Sequence, residues 1–478
     1  VSHWMGHFHD LGKYSDYFQE YLKEGKNSSF KNHAHISACF TYSLLSTANL
    51  NVDKSSQRIL PFLAYLCIRQ HHTSLNLKDL FSIRYDIWSK LRPLEAHLGA
   101  KADEILEDLD LKGKLTIAEF HSCLQIKSLE EDEQNFQRIP IRFENGRISH
   151  PKWFFILIYF FSVLIDTDKL DSAYITPKRV CAVSPDNVTK YLELKTGNLD
   201  IQKKNSDLND RRERARNTML GVIEGLSDDE IKSTRLFTLT APTGIGKTLS
   251  SLQCALRLQE RISLVEKYVP RIITAIPFIN IIEQNRKEYE NVFGKDAKMV
   301  VHHRLSDFSL TRVEGADVIQ GENYDVNPVD KALMETEAWE GDVILTTFVQ
   351  LFQSIFTGQN RLLKKINKLA GSIVILDEAQ AIPEDYMPVV GAVLQMFSKY
   401  YGTRFILMTA TQPKLLEFGD KLLYRERIKH AGHNAKQLLP DYAEYFQHLK
   451  RTKFVPILKD RIDTNQFIGL FFQKWSKD

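Results

Sequence analysis

The 478-residue chain is too long for one ordinary hydrophobic core and predicts two or three domains. Its 63 Lys and Arg nearly balance its 60 Asp and Glu, a formal charge of +3, so any nucleic-acid surface must be a local patch. Cys39, Cys67, Cys123, Cys181 and Cys254 form no CxxC pair, which excludes a disulfide framework and predicts a reducing, cytoplasmic setting.

In chain order, residues 1 to about 175 read as mostly helical. "SDYFQEYLKEG" and "ILPFLAYLCIRQHH" carry apolar residues at three- and four-residue spacing. The most apolar run, "WFFILIYFFSVLI" (Trp153 to Ile165), is shorter than the ~20 residues that span a bilayer and predicts a core helix, with no membrane partner. No signal peptide is visible, and a start at Val1 predicts that the natural N-terminus lies further upstream. Residues 176–232 are polar and broken, a connector ending in the basic helix "RRERAR". That helix can serve a nucleic-acid strand or simply face solvent.

From Arg235 short apolar runs alternate with helical stretches: "RLFTLTAPTG", "RIITAIPF", "DVILTTF", "SIVILDEAQ" and "TRFILMTAT". Each ends in a polar cluster, the pattern of a mainly parallel sheet whose active loops lie at the carboxyl ends of its strands. "APTGIGKT" (Ala241 to Thr248) joins a strand to a helix. Gly244 and Gly246 let backbone N–H groups curl around phosphate oxygens, Lys247 can reach the terminal phosphates, and Thr248 can bind Mg²⁺. In "IVILDEAQ", Asp377 and Glu378 emerge from a buried strand, suited to Mg²⁺ and to the attacking water of ATP hydrolysis. Thr274, Thr346, Thr347 and Thr409 stand at other strand ends, where hydroxyls can grip the phosphates of single-stranded DNA. This ordered set, over about 235 to 415, resembles the superfamily 2 helicases.

The helical part carries a second chemistry. "GHFHDLGKYSDYFQEYL" (Gly6 to Leu22) places His9 beside Asp10, neighbours that would point about 100° apart on a helix. Downstream stand His33 and His35 in "NHAHISA", His71 and His72 in "RQHHTSL", and Asp166, Asp168 and Asp171 in "SVLIDTDKLDSA". Imidazole and carboxylate together suit borderline transition metals, and two such ions can clamp a scissile phosphate. His3 and His7 read as surface residues. A further doublet, His302-His303, lacks a carboxylate set and reads as structural or facing nucleic acid.

The ordered His and Asp residues resemble the HD hydrolase superfamily. An HD domain directly upstream of a superfamily 2 helicase is similar to the CRISPR-associated helicase–nucleases of type I interference systems, which degrade invader DNA after recruitment by the Cascade ribonucleoprotein complex. The resemblance implies an all-α HD domain at 1–175, the connector at 176–232, a RecA-like α/β lobe at 233–430, and at 431–478 the start of a link to a second lobe. It implies that His9, Asp10, His33, His71, His72 and Asp168 hold two divalent transition-metal ions (Mn, Fe, Ni or Co), with Lys13 near the scissile phosphate. His33 is preferred to His35, and Asp168 to Asp166, because they fit the family's spacing.

Three departures carry expectations of their own. The family has one more ligand histidine upstream of the dyad, with no counterpart before His3. Motif II ends in Gln380. Motifs IV to VI of a second lobe are absent, which predicts a fragment or one half of a split gene, weak ATP binding, no translocation alone, and a separate second lobe as a candidate partner. Two other readings compete: an HD phosphohydrolase acting on nucleotides with a regulatory ATPase lobe, and a non-catalytic binding fragment.

Overall fold

A computed structural model describes residues 1–25, 28, 30, 32–75, 87–125, 151–197, 207–303, 328–411, 414–428, 432, 434–448 and 462–474. Part of the predicted connector, 198–206, lies outside the described residues.

The first part is helical, as the spacing predicts. It comprises α1 (Ser2–Phe8), a 3-10 turn (Leu11–Tyr14), α2 (Asp16–Glu24), α3 (His33–Thr47), α4 (Lys54–Gln70), α5 (Ile87–Ala100), α6 (Ala102–Asp108), α7 (Ile117–Leu124) and α8 (Pro151–Ser172). Asp53 starts α4 by accepting the N–H groups of Ser55 and Ser56, and Thr116 with Glu119 forms a capping box on α7. Every residue of α3 from His33 to Thr41 is buried, so α3 is a central helix with no polar face. It packs along α4, whose stretch from Leu60 to Ile68 is buried as well. This pair fixes the framework on which the histidines sit.

The connector is built onto the second part. Its helices α9 (Asp186–Gly197), α10 (Asp207–Glu224) and α11 (Asp228–Ser233) precede β1 (Leu236–Thr240) and α12 (Lys247–Glu266). Arg261 of α12 donates to the carbonyls of Glu224 and Leu226, each at 2.7 Å, satisfying the C-terminal end of α10. The chain continues through β2 (Ile272–Ile276), α13 (Ile279–Phe293), β3 (Met299–His302), α14 (Pro328–Glu337), β4 (Val343–Thr347), α15 (Phe348–Ile355), α16 (Asn360–Leu363), α17 (Ile366–Leu369), β5 (Ile373–Leu376), α18 (Met387–Tyr401), β6 (Arg404–Thr409), α19 (Leu415–Arg425) and β7 (Ala435–Gln437).

The strands form one all-parallel sheet in the order β3-β4-β2-β5-β6-β1-β7. β2, β4, β5 and β6 are buried throughout, which is why they read as continuous apolar runs. β7 lies past the 233–430 span given to the lobe from sequence, because its polar "AKQ" carries no strand pattern. Among the described residues no helix is long and apolar enough to cross a membrane.

α8 explains its own composition. One side packs on α4, and others pack on α16, α17 and α18 of the sheet half, so few positions are left for solvent. The Phe155 ring lies 4.9 Å from that of Tyr400 and 5.2 Å from that of Tyr401, whose hydroxyl donates to Phe155 O at 2.7 Å. Helical half and sheet half fall in one unit, residues 1–439, with a continuous core. Residues 440–478 form a separate unit with α20 (Tyr442–His448) and α21 (Thr464–Lys474); α21 exposes Phe467, Ile468, Phe471 and Phe472.

Candidate metal centre and nucleotide site

His9 caps the end of α1, and Asp10 turns into the 3-10 segment with φ −107° and ψ 9°. Backbone geometry changes between the two neighbours, so their side chains meet instead of splaying: His9 Nε2 lies 3.4 Å from Asp10 Oδ2. His33 opens α3, His71 and His72 follow the end of α4, and Asp168 lies in the last turns of α8. Four chain segments thus converge at helix ends.

Asp10 sits at the middle. Its Oδ1 lies 3.2 Å from His33 Nε2 and 3.5 Å from His71 Nε2. His33 Nε2 lies 2.8 Å from His72 Nε2. On the other side His9 Nε2 lies 3.6 Å from Asp168 Oδ1. One ligand atom each from Asp10, His33, His71 and His72 falls within 4.8 Å of the others, and the same holds for His9, Asp10 and Asp168. The two sets share Asp10, the geometry of a carboxylate placed to serve two ions.

The ring orientations are fixed from behind. His71 Nδ1 donates to Ile68 O at 2.6 Å and His9 Nδ1 to Gly6 O at 2.8 Å. A carbonyl only accepts, so both rings carry the proton on Nδ1 and turn the Nε2 lone pair inward. Asp10 Oδ1, His71 Nε2 and Asp168 Oδ2 are buried with no hydrogen-bond partner among the described residues. Such atoms are costly to leave unmatched, and a cation in the set of Asp10 and His71, with another in the set of Asp10 and Asp168, would supply the missing charge. The donor set therefore fits divalent transition metals.

The protonation states agree. Burial raises the Asp10 carboxyl, but His33, His71, His9 and Lys13 together hold it well below the usual range. Asp168 is lowered to about 2, its burial outweighed by His9 and Lys169. Burial lowers His33, and burial with the neighbouring His71 and His33 lowers His72 to about 4. Ionised carboxylates beside neutral imidazoles are the ligating forms. His9 alone is raised: burial opposes this, and Asp168 and Asp10 override it. Lys13 Nζ donates to Asp10 Oδ2 at 2.5 Å from the rim.

The alternatives left open by the sequence separate here. His35 Nε2 faces Tyr65 Oη at 2.9 Å in the core. Asp166 pairs with Lys368 at 2.9 Å, and Asp171 is exposed. His3 and His7 meet edge to face on α1, their ring centroids 4.4 Å apart. In the second doublet, His302 Nδ1 accepts Trp339 Nε1–H at 2.9 Å, a buried structural contact.

One feature of "HDLGK" has no signal in spacing. A Cβ on Gly12 would stand 2.5 Å from His33 O and 2.7 Å from His33 Cα, so only glycine lets the turn carrying Asp10 lie against the start of α3. Gly12 N–H donates to Ser37 Oγ at 2.9 Å, which donates on to His33 O at 2.8 Å.

At the carboxyl edge of the sheet, Gly244 (φ 89°) and Gly246 (φ 88°) curl the loop before α12. Lys247 Nζ is buried 3.4 Å from Glu378 Oε1, an ion-pair distance whose geometry makes no hydrogen bond. Asp377 follows β5, and burial with the adjacent Glu378 pushes its carboxyl up to about 6. Glu378 is held at φ 53°, an unfavourable backbone for a non-glycine residue, and accepts from the Gln380 side chain. Thr248 stands beside Lys247 at the start of α12. Arg212, within "RRERAR", donates Nε–H to Gly244 O at 2.8 Å, while Arg211 and Arg216 pair with Asp207 and Glu213. The basic helix therefore meets the phosphate loop, a role its composition did not single out.

The four strand-end threonines lie at the carboxyl edge of the same sheet. Thr274, Thr346, Thr347 and Thr409 are all buried. Thr274 meets Tyr289 Oη, Thr346 donates to His302 O, Thr347 caps α15, and Thr409 accepts from Thr411 N–H. These bonds shape the strand ends, and at Thr347 and Thr409 the hydroxyl oxygen serves as acceptor. Exposed apolar side chains at those ends include Phe278, beside the first turn of α13, and Val349, in the first turn of α15.

Residues 228–418 match the DEAD/DEAH box helicase family. Over 446 residues the chain is 28% identical to a CRISPR-associated nuclease/helicase, Cas3, of Haloferax volcanii, a match covering 85% of this chain and 45% of that protein. Crystal structures of T. fusca Cas3 share the fold. The AMPPNP form has a TM-score of 0.51 at 15% identity, over 90% of this chain and 46% of that one. A second T. fusca Cas3 structure has a TM-score of 0.50 at 16% identity. The chain spans less than half the length of these relatives.

Proposed function

We propose that this chain, a homologue of the Cas3 nuclease/helicases with a DEAD/DEAH box helicase region, cuts single-stranded DNA in its helical half and works with an ATP-driven motor in type I CRISPR interference. The observation that carries the nuclease reading is the pair of ligand sets sharing Asp10, with three buried ligand atoms left unmatched. His33, His71 and His72 with Asp10 would hold one divalent ion, and His9 and Asp168 with Asp10 the other. When bound, the ions supply positive charge against a scissile phosphate and make water acidic enough to attack at neutral pH.

The chain's own groups do the rest. The Nδ1–H bonds of His9 and His71 keep both rings turned inward. Asp10 remains ionised between the two sets. Lys13, on the rim, places its ammonium where a bound phosphate oxygen would approach. Recognition through phosphates carries little sequence information and suits a nuclease directed by a partner, here a Cascade-type ribonucleoprotein.

In the sheet half ATP is the substrate. Gly244 and Gly246 shape the phosphate cradle, Lys247 would leave Glu378 for the terminal phosphates, and Thr248 and Asp377 would hold Mg²⁺. Glu378 would then orient the attacking water. Phe278 offers an exposed ring on which a base can stack.

The test is cleavage of circular single-stranded DNA, which has no ends, with Mn²⁺ and without ATP. Cutting by the chain that vanishes in Asp10→Ala supports the reading. Equal cutting by both proteins overturns it.

A further inference from the structure

The segment between α15 and β5 belongs to the sheet half, yet it reaches two of the chain segments that carry metal ligands. Asn360 Nδ2 donates to the carbonyl of His71 at 2.7 Å. Two residues earlier, Gly358 O accepts Leu75 N–H at 2.7 Å, just past His72. A Cβ on Gly358 would stand 2.5 Å from Leu75 O, so the approach is as close as backbone allows. Further on, Asn367 donates to Asp166 at 3.0 Å and its N–H to Ser162 Oγ at 2.9 Å, while Lys368 pairs with Asp166. Asp166 precedes Asp168 by two residues on α8.

Asn360 carries a cost. Its Oδ1 is buried without a hydrogen-bond partner among the described residues. A buried amide oxygen left unmatched is unfavourable, so the fold accepts a penalty to hold the NH₂ group on His71 O. The amide orientation is not ambiguous, because only the NH₂ end can donate to a carbonyl. His71 follows the last helical residue of α4, where the chain has few bonds of its own to fix its direction.

We propose that Asn360 is a positioning residue of the metal centre: through the His71 carbonyl it fixes the path of the His71-His72 doublet, so ion binding in the helical half depends on the sheet half. The inference rests on the reading of that centre as a metal site. Asn360 touches neither ion nor substrate, and it acts on where two imidazoles point.

The test uses the full chain and Mn²⁺ alone, with affinity measured by titration calorimetry and Co²⁺ absorption as a second report of ligand geometry. Asn360→Ala should weaken Mn²⁺ binding by ~10–100-fold, the range for losing a group behind a metal ligand, and alter the Co²⁺ spectrum. Gly358→Ala, which disturbs the same crossing by a different route, should act in the same direction and decides the matter if Asn360→Ala does not fold. Tyr401→Phe removes another hydrogen bond across the same junction, remote from the ligands, and should leave both signals unchanged. Wild-type affinity in Asn360→Ala and Gly358→Ala overturns the inference and leaves the metal site standing. Equal losses in Asn360→Ala and Tyr401→Phe also overturn it, since the effect would then be general loosening. A wild-type chain that takes no Mn²⁺ overturns the underlying reading itself.

Discussion

Replacing Gly12 by alanine should damage the metal centre without touching a ligand. The added Cβ would lie 2.5 Å from His33 O and 2.7 Å from His33 Cα and Cβ, all atoms fixed to the start of α3. Relaxed carbon contacts lie at ~3.5–4.0 Å, so the turn and the helix must separate by about 1 Å. The separation also strains the chain of hydrogen bonds from Gly12 through Ser37 to His33 O. Overpacking of this kind costs ~1–3 kcal/mol, and a weakened hydrogen bond adds ~1 kcal/mol. More important is direction: the motion widens the 3.2 Å gap between Asp10 Oδ1 and His33 Nε2. Ligand bonds to these metals are ~2.0–2.2 Å long and tolerate little displacement, so Mn²⁺ affinity should fall by ~10–100-fold. Calorimetric titration, with a thermal melt to separate folding from binding, makes the measurement. Ser37→Ala, which cuts the hydrogen bonds without overpacking, should give a smaller loss. Wild-type Mn²⁺ affinity in folded Gly12→Ala would refute the claim that glycine sets the distance between turn and helix.

Lys247→Ala should abolish ATP binding and hydrolysis, yet leave ATP-independent cutting of circular single strands intact, because the two sites share no residue. Arg212→Ala should raise the KM for ATP by ~3–10-fold, the consequence of losing ~1 kcal/mol at a partly exposed bond to Gly244 O, read from steady-state ATPase kinetics. His302 gives a pH dependence away from both sites. Burial lowers it to about 2, so between that value and its unfolded value the unfolded chain binds more protons. Stability from this group is full above ~6.5 and falls by ~1.4 kcal/mol per pH unit as the solution is acidified. In denaturant melts at pH 7 and pH 5, His302→Asn should flatten the slope, and an unchanged slope would rule out His302 as its source.

What the sequence made legible was local. Apolar runs ending in "APTGIGKT" and "LDEAQ" predict a parallel sheet with loops at one edge, because strand burial and loop chemistry are written in consecutive residues. "HDLGK" followed by histidine doublets predicts a metal site for the same reason. The choice of Asp168 over Asp166 rested on family spacing alone. The physical difference, one carboxylate near His9 and the other on Lys368, depends on residues far away in the chain. The partners of Thr274 and Thr346 were hidden for a related reason. A strand end looks accessible in one dimension, but Tyr289 and the His302 carbonyl, from neighbouring elements, claim those hydroxyls. Arg212 and Asn360 were invisible because a basic helix and a short polar turn have many possible destinations. Only the packing of α10 on α12, and of α8 against α16 and α17, selects one.

The most direct test of the shared-carboxylate centre is a count of bound metal. The chain, loaded with Mn²⁺ and desalted, would be compared by plasma mass spectrometry with Asp168→Ala and Asp10→Asn. The account predicts about two ions per chain, about one in Asp168→Ala, and almost none in Asp10→Asn, where both sites lose their common ligand. Retention of full metal by Asp10→Asn would contradict it.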